Sequence, residues 1–414
     1  MDLAFSFAGD RDISAVYGPK SEEKSAIMKD LGLKETKWKD NGVEYTLLQY
    51  IRPIRDAKTT GHLRSVIHRD GNIVCIAPPR AKTMEVFSED HDPLKCMAEE
   101  VVEGTMINLF YDEGEWRLAT RGTVGARSRF YRGVPSFRNM FLEAAGLVGL
   151  DFDRLPKDYC YSFIVQHPKN RIVRFIDNPA IYLVDRYQIN SSSRTATRIP
   201  YSSAIGALLA DTMVRFPDRW PLSDYSSATE AFASSNAHHT EPGVMFRYDD
   251  SSIRAKVKNP NYEAVRRLRG NHPKEQYRYL ALRQSNQLDN YLRYYPEDRK
   301  GFDAFENHIK AFIKELHSCY IQARPMRGGD DVVPKHLLPH VRALHKLYHS
   351  ELRNLGQRVH HGIVSKYVGE LPPARLMFAA NYPLREEAKK VSETPSAEVV
   401  SHTTEVEVDQ DNTQ

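Results

Sequence analysis

The residues best suited to chemistry lie in one short segment. From Arg254 to Lys258 the order is Arg-Ala-Lys-Val-Lys, so three cations alternate with smaller neutral residues. On a β-strand alternate side chains share a face, and like charges in a row on one face repel each other. Such a face needs water or an anion. It reads either as a solvated basic edge strand, which blunts unwanted strand pairing, or as a strand that grips phosphate, with lysine as a point charge. A second basic concentration follows at once. Arg266, Arg267, Arg269, Lys274 and Arg278 are interleaved with Tyr262, Tyr277, Tyr279, Tyr291 and Tyr295. Arginine with tyrosine suits phosphate contact and base stacking on RNA, although a solvated helical surface gives the same pattern. The pairs His238-His239 and His360-His361 do not predict a metal site, because adjacent side chains diverge on helix and strand alike. Cys75, Cys96, Cys160 and Cys319 have no metal or CxxC spacing, which points to a reducing compartment.

The elements that must position these residues change character along the chain. With 414 residues there is room for two or three domains, and 41% hydrophobic residues support a substantial core. Net charge is +4, unevenly spread: residues 385–414 hold three basic and eight acidic side chains, leaving a basic body ahead of an acidic tail. That balance fits a polyanion-binding protein as well as an ordinary soluble one. No signal peptide and no apolar run of membrane length is present, so the expectation is a soluble intracellular protein, not secreted and not membrane-bound.

From Leu63 the pattern is a series of hairpins. Arg64–Ala77 turns at Asp70-Gly71, residues 103–121 turn at 112–115, and residues 161–175 turn at His167-Pro-Lys-Asn170. Val244–Tyr248 and Ile253–Lys258 form a fourth hairpin, ended by Asn259-Pro260. Helices are predicted over Ser136–Val148 and Ala204–Val214, and a further strand over Ile181–Tyr187. Beyond Pro260 the periodicity is helical. Phe302, Phe305, Ile309, Phe312, Leu316 and Tyr320 mark one stripe; Leu337, Val341, Leu344, Tyr348 and Leu352 mark another. The composition from Glu386 onward predicts disorder. The expected class is α+β: an antiparallel, hairpin-rich domain followed by an all-helical C-terminal domain. The expected divisions are 1–60, 61–259, 260–384 and an acidic tail at 385–414.

In this order, the motifs resemble the nucleotidyltransferase domain of phage-type ATP-dependent RNA ligases, in a form like that of divergent large-DNA-virus proteins. The resemblance runs from about Leu63 to Lys258, with a helical C-terminal domain as in that family. It implies a lysine that attacks the α-phosphate of ATP, transfer of AMP to an RNA 5′-phosphate, and sealing by a 3′-hydroxyl. ATP and Mg2+ are the implied cofactors and RNA the implied partner of a monomeric protein. Lys256-Val-Lys258 matches the strand motif that holds the α-phosphate. Arg64, Arg121 and Glu241 match nucleotide-contacting positions, and Glu103-Gly104-Thr105 matches the end of the nucleophile motif. The lysine of that motif is absent, since Val101 stands in its place. Lys82 is the expected substitute nucleophile, with Lys95 next. Arg266, Arg267 and Arg269 are the expected RNA-binding residues. The alternatives are a degenerate ligase that binds nucleotide or RNA without catalysis and, ranked last, a capping-type guanylyltransferase.

Overall fold

The computed structural model describes residues 4–6, 13–51, 61–131, 133–201, 203–323 and 333–393. The chain divides into two compact units, with the boundary between Arg267 and Leu268.

The first unit is built from three antiparallel sheets. Helix α1 (Glu22–Leu31) is capped by the Ser21 hydroxyl, which accepts from Lys24 N, and is ended by left-handed Gly32. It leads into a four-stranded sheet of β2 (Leu33–Asp40), β3 (Val43–Tyr50), β4 (Val66–Arg69) and β5 (Asn72–Ile76), in that order. Asp70 and Gly71 both have positive φ, as a two-residue hairpin of right-handed twist requires. Helix α2 (Met84–Asp90) precedes β6 (Cys96–Glu100), β7 (Thr105–Asp112) and β8 (Glu115–Ala119). Helix α3 (Phe137–Val148) buries Met140, Phe141, Ala144 and Val148.

The largest sheet has the order β1-β11-β10-β9-β7-β8, with β1 at Ala4–Ser6, β9 at Tyr159–Gln166, β10 at Ala180–Asn190 and β11 at Thr195–Arg198. After the short helix α4 (Ser203–Leu208) come β12 (Arg219–Pro221), α5 (Tyr225–Ala233), β13 (Gly243–Tyr248) and β14 (Arg254–Lys258). These complete a third sheet, β12-β6-β13-β14.

Helix α6 (Pro260–Arg269) spans the boundary, and the second unit is helical. It contains α7 (Glu275–Gln284), α8 (Leu288–Tyr294), α9 (Arg299–Ala323), α10 (Leu338–Leu347), α11 (His361–Glu370), α12 (Pro373–Ala380) and α13 (Tyr382–Glu393). The stripe on α9 is core: Phe302, Ile309, Phe312, Leu316 and Tyr320 are buried. The expected α+β class, a hairpin-rich part followed by a helical part, is what the chain forms. Among the described residues no helix is long and apolar enough to cross a membrane.

Four sequence expectations need correction. Residues 171–175 are not a strand; β9 pairs with β10 instead. The amides of Val173 and Arg174 are held by the Glu103 carboxylate, so they are taken from any ladder. The helix expected over Ala204–Val214 stops at Leu208, where the chain turns, the Thr212 hydroxyl donates to Leu209 O, and Arg215 bridges to Tyr182. Residues 385–393 are helical, with Lys389 and Glu386 paired at 3.1 Å one turn apart; the rest of the acidic tail lies outside the described residues. Finally, much of the Arg/Tyr concentration is interior: Tyr262, Tyr279, Tyr291, Tyr295 and Arg278 are buried. Arg278 lies 3.0 Å from Asp298 and over the Tyr291 ring, so it serves packing.

Candidate functional site

Strand β14 is held in a tightly specified frame. It pairs with β13 in the register Gly243↔Lys258, Met245↔Lys256 and Arg247↔Arg254. Ala255 and Val257 face a core of Phe87, Ala98, Val244 and Phe246, so the alternate residues 254, 256 and 258 take the other face. Gly243 has φ +123°, and a β-carbon there would collide with the Val257 carbonyl. The strand ends at buried Asn259, whose side-chain amide donates to His238 O (2.7 Å) and Glu241 O (2.8 Å) while its oxygen accepts from Asn261 N. That bond and Pro260 at the first helical turn start α6 immediately.

The three cations meet three different fates. Arg254 turns inward, 3.2 Å from Asp185, and also donates to Pro79 O. It belongs to a buried network the sequence did not reveal. Asp185 also takes Arg198 at 2.7 Å and Arg247 at 3.4 Å, while Glu99 takes Arg247 at 2.8 Å and Arg219 at 2.9 Å. Burial pushes the Asp185 carboxyl up, but Arg247, Arg198 and Arg254 together hold it well below the usual carboxylate range. Arg254 is therefore structural rather than part of an anion-binding face. Lys258 is exposed, 3.4 Å from Glu263. Glu263 also meets Arg266 at 3.4 Å, so this carboxylate bridges β14 and α6.

Lys256 is different. It is half-buried and makes no hydrogen bond or ion pair among the described residues. Burial pushes its ammonium down to about 8; Lys258, Arg266 and Arg64 push the same way, and Glu263 opposes them. A partly desolvated cation beside three others is unfavourable unless an anion joins it. The structure thus brings together Lys256, Lys258, Arg64 and Arg266 from the expected set.

Glu103 and Gly104 form the loop between β6 and β7. The Glu103 carboxylate is buried and accepts from Val173 N and Arg174 N, each at 3.1 Å, and from the Tyr262 hydroxyl. Gln166 Nε2 donates to its carbonyl at 2.9 Å. Glu103 is thereby a clamp between this loop, the 173–174 segment and α6. Gly104 has φ +149°, and a β-carbon there would lie 2.5 Å from both Ile164 Cγ2 and Val165 O. The glycine lets the loop lie against β9.

The remaining expected residues are placed elsewhere or do other work. Lys82 N donates to Arg254 O at 2.7 Å, so its backbone lies on the β14 edge, but its ammonium pairs with Asp90 at 3.2 Å on the surface. Lys95 is exposed. Val101 is buried and apolar. Arg121 sits in a turn closed by Thr120 and Thr123, its carbonyl accepting from Gln49. Glu241 lies near Glu100, whose carboxyl is raised by burial and by the charges of Asp218 and Glu241. Arg267 is exposed on α6, and Arg269 acts on the Tyr291 hydroxyl. A cavity of about 780 Å3 lies among Glu100, Arg174, Tyr182, Tyr201, Arg215 and Arg219. No group of three or more His, Cys, Asp or Glu among the described residues is arranged to hold a metal ion.

The architecture is thus an antiparallel three-sheet unit with a basic strand end, followed by a helical unit. No family model matches the chain, and no curated protein matches it. Among solved structures it is similar to an archaeal ATP-dependent RNA ligase, at 15% identity and TM-score 0.40, covering 93% of this chain and 83% of that one. It is also similar to a putative ATP-dependent DNA ligase from Aquifex aeolicus, at 13% identity and TM-score 0.39, covering 90% and 79%. A Naegleria gruberi RNA ligase mutant with ATP and Mn gives 11% identity and TM-score 0.34, covering 59% and 83%. At these values the chemistry rests on the residues themselves.

Proposed function

We propose that the first unit binds the phosphates of a nucleotide at Lys256, with Lys258, Arg64 and Arg266 around it, as an RNA ligase-like nucleotidyltransferase that uses ATP and joins RNA ends. The observation that carries this reading is Lys256: half-buried, beside Lys258, Arg266 and Arg64 with Glu263 as an opposing charge, and making no ion pair or hydrogen bond among the described residues. A polyphosphate supplies the missing negative charge and accepts the ammonium's hydrogen bonds. The described residues offer no cage for a divalent ion. Mg2+ is accordingly expected to arrive on the phosphates, as it commonly does in such sites, and the protein groups act by holding those phosphates in place. Arg266 and exposed Arg267 are expected to meet the RNA backbone, with Arg269 further along the same helix.

A second reading is a degenerate ligase fold that binds nucleotide or RNA without a covalent step. It is favoured by Val101, a buried apolar side chain where an amine is expected, and by the commitment of Lys82 to Asp90. Binding of radiolabelled ATP to the full chain tests the shared part: saturable binding in the wild type, weakened by Lys256→Ala, is expected. Unaltered binding in Lys256→Ala rejects the site. A label that survives denaturation separates the covalent reading from the degenerate one.

A further inference from the structure

We propose that Phe175 is a stacking platform for an unpaired nucleobase, with Lys169 and Arg174 taking the phosphates on either side of it; that the strand is RNA rests on the ligase-like reading of the chain.

Phe175 lies in the connection between β9 and β10, residues 167–179, and these are the two central strands of the largest sheet. Long connections without regular structure are uncommon inside compact domains, and those that persist tend to carry function. This one is tied down along its length. His167 Nδ1 accepts from Lys169 N at 3.1 Å and starts a single turn at Pro168–Asn170. Asn170 Nδ2 donates to Thr105 Oγ1 at 2.9 Å. The amides of Val173 and Arg174 then donate to the buried Glu103 carboxylate. Phe175 follows directly on that last anchor, so its backbone is fixed at the point where its side chain enters solvent.

Phe175 is 67% exposed. A single exposed apolar residue is ordinary, but this one has a cation held over it. Arg171 Nε and Nη2 donate to Val173 O at 3.2 and 3.0 Å, and the guanidinium stands 5.6 Å from the centre of the Phe175 ring. That separation is within the range of a cation–π contact. The surrounding stretch is basic: Lys169, Arg171 and Arg174 fall within seven residues, with no acid among them. Lys169 is exposed, and Arg174 meets Glu100 only at 3.7 Å, so both are available to an anion.

The combination calls for a partner that is flat and apolar in one part and anionic in the next. A nucleotide within a single strand is both, since its base offers a π-face and phosphates flank it. A duplex does not meet the ring in this way, because its bases are stacked on one another and turned inward. These residues are separate from the cluster around Lys256, so strand binding here and phosphate binding there are separable by mutation.

The test uses the full chain as wild type, Phe175→Ala, Phe175→Leu, Phe175→Trp and Lys169→Ala. Binding of a short fluorescent single-stranded RNA is followed by anisotropy at several salt concentrations, and ATP binding is measured beside it. Phe175→Ala is expected to weaken strand binding about 5- to 150-fold while leaving its salt slope unchanged. Phe175→Trp should retain binding. Phe175→Leu, which keeps apolar bulk without a π-face, should lose most of it. Lys169→Ala should instead lower the salt slope by about 0.7. ATP binding should be the same in all five proteins. Strand binding by Phe175→Ala within twofold of the wild type overturns the inference and leaves the nucleotide-site reading intact, and so does Phe175→Leu binding as well as the wild type. If Phe175→Ala melts at a lower temperature, the comparison of Phe175→Leu with Phe175→Trp decides alone. A wild type that binds ATP but no single strand overturns the inference together with the RNA part of the reading; one that binds neither defeats the nucleotide site as well. Self-association of the wild type that Phe175→Ala abolishes, with strand binding untouched, assigns the ring to a protein contact and overturns the inference too.

Discussion

Lys256 and Lys258 stand two residues apart on β14, yet only Lys258 forms an ion pair among the described residues: it lies 3.4 Å from Glu263, whose charge acts on Lys256 only from further off. The pair looks equivalent in sequence and is not equivalent in structure. An arriving phosphate must compete with Glu263 for Lys258, whereas at Lys256 it meets an uncommitted cation. Charge-assisted hydrogen bonds of this kind contribute about 1.5–3 kcal/mol each. Lys256→Ala is therefore expected to weaken ATP binding about 10- to 100-fold, and Lys258→Ala only a few-fold. Titration calorimetry on the two variants checks the order; a larger loss at Lys258 would contradict it.

The same asymmetry predicts a gain in stability. A lysine lowered on folding binds fewer protons in the folded state than in the unfolded one between about 8 and its ordinary value near 10.4. Below about 8 its charge opposes folding in full, and the opposition fades as pH rises through that window. Lys256→Met removes the penalty while keeping the stem, so at pH 7 it should raise Tm by a few degrees, the shift that about 1 kcal/mol produces in a domain of this size. At pH 10 the gain should fall to roughly a quarter of that. Thermal melts at the two pH values decide; a Lys256→Met protein that melts lower at pH 7 counts against the picture.

Arg254, in contrast, is expected to matter for folding and not directly for binding. Asp185 is fully buried among Arg198, Arg247 and Arg254. Asp185→Ala leaves those guanidinium groups without their shared carboxylate, a change that costs about 3–5 kcal/mol for buried pairs. Because the carboxyl is held below its usual range, the stabilisation is complete above about pH 4 and is lost as pH falls below that. Urea melts of the variant at pH 7 should show the loss, and a change under 1 kcal/mol would show the network to be dispensable.

How much of this was legible follows from what is local. The hairpins at Asp70-Gly71 and over β13–β14 announce themselves through turn residues within a few positions, and the stripe of α9 through its period. The Asp185 network does not, because its members come from β6, β10, β11, β12, β13 and β14 and meet only after the sheets pack. Arg254 was misplaced for that reason: alternation tells which face a strand residue takes, not what lies across from it. Lys82 illustrates the converse, since its backbone lies beside β14 while a surface carboxylate two turns along α2 takes its side chain. Residues 171–175 have β-forming composition, but a carboxylate from a distant loop claims two of their amides.

Exposed Arg267 tests the RNA reading separately from nucleotide binding. Each phosphate contact to a single strand contributes about 0.7 to the slope of log affinity against log salt. Arg267→Ala should lower that slope by about this amount and leave ATP affinity unchanged. Fluorescence anisotropy with a short single-stranded RNA at several salt concentrations measures it; an unchanged slope removes Arg267 from the interface.

The clamp at Glu103 makes the last prediction. Its carboxylate joins three pieces of chain that are far apart in sequence: its own loop, the amides of Val173 and Arg174, and the Tyr262 hydroxyl on α6. Burial, and then the Glu103 charge and hydrogen bond, keep the Tyr262 phenol raised and therefore protonated as a donor. Tyr262→Phe deletes one hydrogen bond to a charged acceptor and is expected to cost about 1.5–3 kcal/mol. Glu103→Ala strands two amide N–H groups and the phenol, and is expected to cost more, toward 3–5 kcal/mol. If the two residues form one unit, the double variant should be less destabilised than the sum of the singles, by about 0.5–3 kcal/mol. A double-mutant cycle by chemical denaturation measures this coupling. Additive losses would mean that Glu103 serves its loop and Tyr262 serves α6 independently. Coupled losses would mean that the helix beginning at Pro260, which carries Glu263 and Arg266, is tied to the loop carrying Gly104, so that the cations around Lys256 and the residues where an amine was expected are positioned by the same carboxylate.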